Sequence, residues 1–387
     1  MRGFSFIPAI SPAQLRAWRV VLACALALVA ILSREMSWPL AAAVVVPAAA
    51  FAIGLCPRIA FAAMVAAFAW FTLLQSEQRS VHDLGLPVLT LIGLLLVPWH
   101  APRAVASRAY GFAVWWPSLT LGLAMASAAY TKLQRTGFDW VTSGAVRYHF
   151  VMDSPNAPTD LGLSIAGSYP ASVALSAAAI VVEATIIVGA FTASPRVRLV
   201  VFGALVALLL GFLLMQGVFW PLWWVCALAL LPWHGRASTQ QADSPTRGQV
   251  LAAIAVAAVQ LVAAFGGIER EPYISNFPMY STTYTDPAEF DQEMRARFTR
   301  IVDAGAATSW VLALPQDARS TLIRAAEGDR YSQDGRDLLC PRVPAGTSVV
   351  DVTIERRTFD WDNGRFTPDR RLALPPANLC AVCRTCP

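Results

Sequence analysis

The run LVVFGALVALLLGFLLMQ, residues 199–216, contains no charged side chain. Coiled as an α-helix at ~1.5 Å per residue it covers about 27 Å, close to the hydrocarbon thickness of a bilayer. A helix that is apolar on every face is a membrane span or the centre of a large core, never the surface helix of an ordinary domain. The apolar stretch continues with few polar residues to Leu231. Gly217 and Pro221 divide it, because neither sits comfortably inside one helix.

Working outwards, eight comparable segments join it, giving candidate spans at 17–32, 38–55, 59–74, 84–98, 110–131, 171–193, 199–216, 220–233 and 250–267. The whole chain of 387 residues is 56% hydrophobic and 14% charged, with a mean hydropathy of +0.51. No soluble protein of this size hides that much apolar surface. Residues 1–270 therefore read as a transmembrane helical bundle and 271–387 as a folded tail of ordinary soluble composition. The first span resembles a signal peptide in having Arg16 and Arg19 before a short apolar run, but the segments behind it favour an uncleaved anchor. The expected fold is an all-α polytopic membrane bundle of eight or nine helices with a small α+β extracytoplasmic domain.

Loop charges orient the bundle. With the N-terminus inside, the inner loops hold Arg2, Arg16 and Arg19, then Arg58, then Arg103 and Arg108, then Arg196 and Arg198, then Arg236 and Arg247. The outer connections pair Arg34 with Glu35, and Arg79 with Glu77, His82 and Asp83, which is the positive-inside pattern. An odd span count then puts the tail outside, in a protein of the plasma (inner) membrane with a cytoplasmic N-terminus. One loop departs from the pattern: Lys132, Arg135 and Arg147 fall outside, so either that loop is functional or the count is off by one. The scattered arginines, without basic runs or aromatic interleaving, exclude a nucleic-acid partner despite a pI near 8.9. The bilayer itself is the expected partner.

In the tail, residues 287–304 predict an amphipathic helix carrying Phe290, Met294, Phe298 and Ile301, with Asp286 as N-cap and Pro287 in the first turn. A second helix is expected over 316–326 and a strand over 348–354. Cys340, Cys380, Cys383 and Cys386 suggest two disulfides in an oxidising compartment, with three possible connectivities. Their spacing also suits a zinc site or a redox-active Cys380–Cys383 pair. The structural disulfides are the preferred reading, and no metal is expected.

Lys132 is the only lysine in the chain. A lysine at the end of an apolar helix can lose its proton when desolvated and act as a base, which an arginine cannot. It can equally snorkel to the headgroups. Glu183, among Ala, Ile and Val in the sixth span, is expected either to be functional or to be a protonated interhelical hydrogen-bond donor. Gln216 and Gln260 read as interhelical hydrogen-bonding groups, and Trp140 and Tyr148 as interfacial anchors near a short helix capped by Asp139. His149 reads as an interfacial histidine.

The segment Ala126-Ser-Ala-Ala-Tyr-Thr-Lys132-Leu133, followed by Asp139-Trp140-Val141 and Gly144, resembles the signature of the vitamin K-dependent γ-carboxylase-like group, also called the HTTM (horizontally transferred transmembrane) domain family. Asn276-Phe-Pro-Met-Tyr-Ser281 looks like a second family motif. His82 before the fourth span and Gly217-Val-Phe219 are weaker matches. The resemblance covers the membrane part and the first residues of the tail. It implies that Lys132 is the base that activates a reduced quinone (a vitamin K hydroquinone in the carboxylase itself), with His82 as a further catalytic candidate; Glu183 is a catalytic candidate on its position in the bilayer alone. Asp139, Trp140 and Tyr148 are then the candidate cofactor-binding residues, and an exported polypeptide the candidate substrate. Departures are the lack of histidines in 201–219 and a short tail in place of a large lumenal domain. The alternatives are a non-enzymatic scaffold or maturation partner that binds a secreted protein through its tail, and a quinone-linked thiol oxidant using Cys380 and Cys383.

Overall fold

The computed structural model of the chain describes residues 6–33, 35–76, 82–100, 105–192, 194–233, 244–268, 283–284, 286–295, 297–329 and 331–383. It divides into two compact units. One comprises Met1–Thr142, Asn156–Pro158 and Val173–Thr283, and the other Ser143–Pro155, Thr159–Ser172 and Tyr284–Pro387. The second unit thus gathers the tail together with two stretches of the long loop that follows the fifth expected span.

The first helices are α1 (Pro12–Leu32), α2 (Trp38–Ile53), α3 (Pro57–Ser76), α4 (His82–Gly93) and α5 (Arg108–Thr136). Four short helices and two long ones follow: α6 (Asp139–Thr142), α7 (Val146–Asp153), α8 (Leu161–Ala166), α9 (Tyr169–Thr185), α10 (Val188–Phe191) and α11 (Pro195–Gln216). The membrane part closes with α12 (Pro221–Ala227) and α13 (Arg247–Gly266). Among the described residues, six segments are long and apolar enough to cross a membrane: α1, α3, α5, Tyr169–Phe191, α11 and α13. Three expected spans are shorter apolar helices, at Trp38–Ile53, Leu84–Leu96 and Pro221–Leu230.

Local chemistry sets these boundaries. Ser11 and Gln14 form a reciprocal capping box at α1, and Thr246 and Gln249 do the same at α13. Gly217, at φ 70°, ends α11 in the left-handed conformation, where a Cβ would lie 1.9 Å from the Asn156 carbonyl oxygen. Pro221 then opens α12, so the chain breaks where glycine and proline predict it.

In the first unit α5 is the axis. Most of its 29 residues are buried, and α1, α4, α10, α12 and α13 all pack on it. Buried polar groups fasten these neighbours, as expected where apolar helices gain nothing by leaving lipid. The Trp116 indole donates to the Thr90 carbonyl at 2.9 Å, the Trp115 indole to the Ala190 carbonyl at 2.9 Å, and the Gln260 amide to Ser127 Oγ at 3.0 Å. Gln260 thus joins helices as expected, whereas Gln216 Oε1 is buried with no partner among the described residues. Arg198 is a correction to the loop reading. It lies inside α11, fully buried, donating to the Leu230, Gly189 and Ala229 carbonyls and to Ser118 Oγ. Residues 195–198 extend the helix because Ser194 caps it and Pro195 starts it.

The second unit adds α14 (Pro287–Met294), β1 (Thr299–Asp303), α15 (Thr308–Leu312), α16 (Gln316–Glu327) and α17 (Gln333–Leu339). The strands β2 (Val349–Val350), β3 (Thr353–Arg356), β4 (Phe359–Asp360), β5 (Arg365–Phe366), β6 (Arg370–Ala373) and β7 (Ala377–Asn378) follow, then α18 (Leu379–Cys383). The main sheet runs β1-β3-β6, antiparallel throughout, and α16 covers Ile301 and Ile354 with Leu322 and Ile323. The helix expected over 287–304 stops at Met294: Thr299, Ile301 and Val302 are β-branched and enter β1, with Ile301 opposite Ile354. Asp286 caps α14 as expected, accepting from the Glu289 amide at 2.8 Å. The expected 348–354 strand is two strands, β2 and the start of β3. Cys340 pairs with Cys383, so the anticipated Cys380–Cys383 redox pair is not formed. No cluster suited to a metal occurs among the described residues.

Candidate functional site

α5 ends one turn after Lys132. Gly137 closes it through its amide to the Leu133 carbonyl, and Thr136 Oγ1 donates to the Lys132 carbonyl at 2.9 Å. The side chain of Lys132 is therefore carried on the last turn of a rigid, buried helix. Glu183 occupies the last turn of α9, which ends at Thr185, and Ser176, two turns earlier on the same face, is also buried. These two helix ends bring the charges together: Lys132 Nζ donates to both Glu183 oxygens at 2.8 Å. Lys132 is 2% exposed and Glu183 3%. The indole ring of Trp140, buried in α6, lies 5.4 Å from Nζ and adds a cation–π contact.

This geometry decides against a snorkelling Lys132, because a side chain held by a buried carboxylate and an aromatic face does not reach for headgroups. Glu183 lies near the end of α9 yet within the Tyr169–Phe191 span, close to its middle. Two charges taken out of water repay their desolvation only in good geometry, and the forked contact here supplies it. Chemically, the pair can shuttle one proton: with the proton on Glu183, Lys132 is a neutral amine and a competent base.

Trp140 apart, the other expected site residues are not brought to this pair. His82 opens α4, and its side chain lies outside the described residues, as does the 276–281 motif. Asp139 is exposed and is the first residue of α6, not its cap, since the Thr142 amide bonds to the Phe138 carbonyl at 2.9 Å. Trp140 and Tyr148 are each 1% exposed, so neither is an exposed interfacial anchor. Tyr148 belongs to α7 in the second unit.

There the sequence reading missed a constellation centred on Arg147, which is 9% exposed. Its guanidinium stacks within 4.8 Å of the Tyr148 ring, 5.3 Å of Tyr169 and 5.0 Å of Trp361. It donates to Tyr148 Oη at 2.8 Å, while its Nε has no partner among the described residues. His149 beside it is buried. Burial, and the nearby Asp286 and Glu289 carboxylates, push the Tyr148 phenol up, against the opposing pull of Arg147. At the end of α7, burial pushes the Asp153 carboxyl up to about 6, partly opposed by Arg297, which contacts it at 3.4 Å. The aromatic residues on both sides of this cluster (Tyr148, Tyr169, Trp361) are far apart in sequence, which is why no local pattern announced it.

No family model, curated protein or solved structure matches the chain.

Proposed function

We propose that this is a polytopic membrane protein whose Lys132–Glu183 pair is a buried proton-transfer centre acting on a lipid quinol. The observation that carries this reading is the placement of the chain's one lysine, 2.8 Å from both oxygens of a buried carboxylate and beside an aromatic face. In the same reading the chain crosses the membrane eight or nine times, 1–270 forms the bundle, and 271–387 is extracytoplasmic. The positive-inside arginines support that orientation, and the motif around Lys132 supports a likeness to the γ-carboxylase-like group, with an exported polypeptide as the substrate to be modified.

The residues present suit a quinol. Trp140 offers a flat apolar face, Lys132 a proton acceptor once its own proton rests on Glu183, and Glu183 an acceptor for that proton. A bound quinol would supply an acidic O–H and reducing equivalents. At rest the one proton of the pair sits on Lys132; once it has passed to the Glu183 carboxylate, the neutral Nζ can take a proton from an O–H donor, and the surrounding apolar helices exclude water.

The test is mass spectrometry of lipids co-purifying with the detergent-solubilised protein, comparing wild type, Lys132→Arg and Glu183→Gln. A stoichiometric quinone in all three, with oxidation of added quinol by dissolved dioxygen lost in Lys132→Arg, supports the reading. Proteins that carry no quinone in any form would sink it.

A second reading is favoured by the closed, mutually satisfied geometry of the pair: Lys132 and Glu183 act as a fastener between α5 and α9 in a non-enzymatic scaffold whose tail binds a secreted protein. Breaking one partner of a buried pair costs ~3–5 kcal/mol, and replacing both by apolar residues is near neutral. If Lys132→Met with Glu183→Leu restores both stability and cellular function, the fastener reading stands and the base does not.

A further inference from the structure

The tail unit carries an open sheet edge beside a charged cleft. β1 is an end strand of the β1-β3-β6 sheet, and its side away from β3 bears no strand among the described residues. A cleft of about 250 Å³ lies against it. Its lining includes Arg300 and Glu355, cross-strand partners on one face of the sheet, and Ile301, which faces α16 on the other. The five consecutive residues 297–301 line it, with Arg357 and Asp369 from the same end of the sheet, so the cleft runs along the first part of β1 and around that end. Arg319, Ser320 and Ile323 of α16 form the opposite wall. A second cleft of about 430 Å³ shares Arg297, Gln316 and Ser320 with the first and continues along α16, but there Glu293, Asp317 and Asp334 outnumber Arg297 and Arg324, so the basic part of the trough is the first cleft. The part of α16 that lines the clefts, residues 316–324, spans about 12 Å, the length of about four residues of extended chain.

The charge of this trough is one-sided where it meets β1. The lining carboxylates Glu355 and Asp369 are both engaged by Arg300. Arg319 and Arg357 also line the cleft and have no carboxylate partner among the described residues, Arg357 resting on the Phe366 ring at 4.4 Å. The other end strand differs. β6 is exposed at all four positions and bears Arg370 and Arg371, the usual charged guard of a bare edge. β1 has a wall on its open side and β6 shows the pattern of an edge kept from pairing.

We propose that the trough takes an extended acidic segment of another polypeptide, added to β1 as a fourth strand, with its carboxylates on Arg319 and Arg357. Backbone hydrogen bonds to the free edge supply affinity, and the two guanidinium groups select acidic side chains. The proposal is independent of the chemistry at Lys132.

Fluorescence anisotropy on the full-length protein in detergent tests it, using a labelled short peptide that alternates glutamate and valine. Lysine in place of glutamate, N-methylation of alternate backbone amides, and Arg319→Glu should each weaken binding by ~10-fold or more. Arg319→Gln should give a smaller loss, which guards against a folding defect in the charge reversal. Arg370→Glu makes the same charge change on β6 and should leave binding unaltered. Equal loss in Arg319→Glu and Arg370→Glu would reduce the interaction to net charge and overturn the proposal. So would undiminished binding of the N-methylated peptide, or no binding of the glutamate peptide at all. Because binding is read without turnover, its failure leaves the quinol reading untouched, and the absence of quinone leaves this one untouched.

Discussion

At the scale of single residues, the molecule separates what sequence can announce from what only packing reveals. Lys132 stands out because every other strong cation is arginine, and its place at the end of an apolar helix makes it a candidate from sequence alone. Its partner Glu183 was visible as a costly intramembrane carboxylate, but the 2.8 Å contact depends on where two helices end in space, which one sequence does not encode legibly. Arg147 and Arg198 were read as loop charges, since their partners are backbone carbonyls or distant rings that leave no local pattern. Asp153 yields a pH prediction. Its carboxyl titrates near 6 in the folded protein and near 3.8 when unfolded, so the folded state holds the proton more tightly. Its contribution to stability is complete below about pH 4, is lost as the pH rises through 6, and amounts to about 3 kcal/mol across that window. Asp153→Asn should therefore melt above wild type at pH 7, and the gap should narrow through pH 5 and close below about pH 4. A gap independent of pH would refute the assignment.

At the scale of elements, caps and breakers were the most legible features. Asp286 and Pro287, and Gly217 with Pro221, terminate or begin helices where their chemistry predicts. The error over 287–304 is a matter of period: Phe290, Met294, Phe298 and Ile301 fit a helical repeat, yet the β-branched content of 299–302 favours the strand that pairs with β3. Disulfide pairing was open for the same reason as the ion pair, because connectivity is a property of the fold. The Cys340–Cys383 bond joins residues 43 apart and anchors α18 beside the segment after α17. Closing a loop of that length should contribute ~2–4 kcal/mol. Cys383→Ser, or reduction, should lower the melting temperature of the tail without altering quinol oxidation. Loss of oxidation with an intact melt would instead return the cysteines to a redox role.

At the scale of the whole molecule, the membrane part was legible through its hydropathy and the tail through its loss of it. The gathering of 143–155 and 159–172 into the tail's unit was not legible, because those stretches look like an ordinary connecting loop. The burial of α5 has a consequence for how the protein is made. Its best window has a mean hydropathy of 1.3 and is 89% buried, against 2.6 and 22% for α11. A segment that is surrounded by protein needs little affinity for lipid, so selection on its composition is relaxed and polar or charged residues accumulate there. Excised into an insertion reporter, α11 should enter the bilayer in nearly every chain and α5 in a minority, rising when the segment is extended through α9. Equal insertion of the isolated pair would contradict this. If α5 alone enters only in a minority, then in the ribosome-bound chain it would wait for neighbours synthesised after it, and the helix that carries Lys132 would be committed to the membrane only once Glu183 had emerged to receive it.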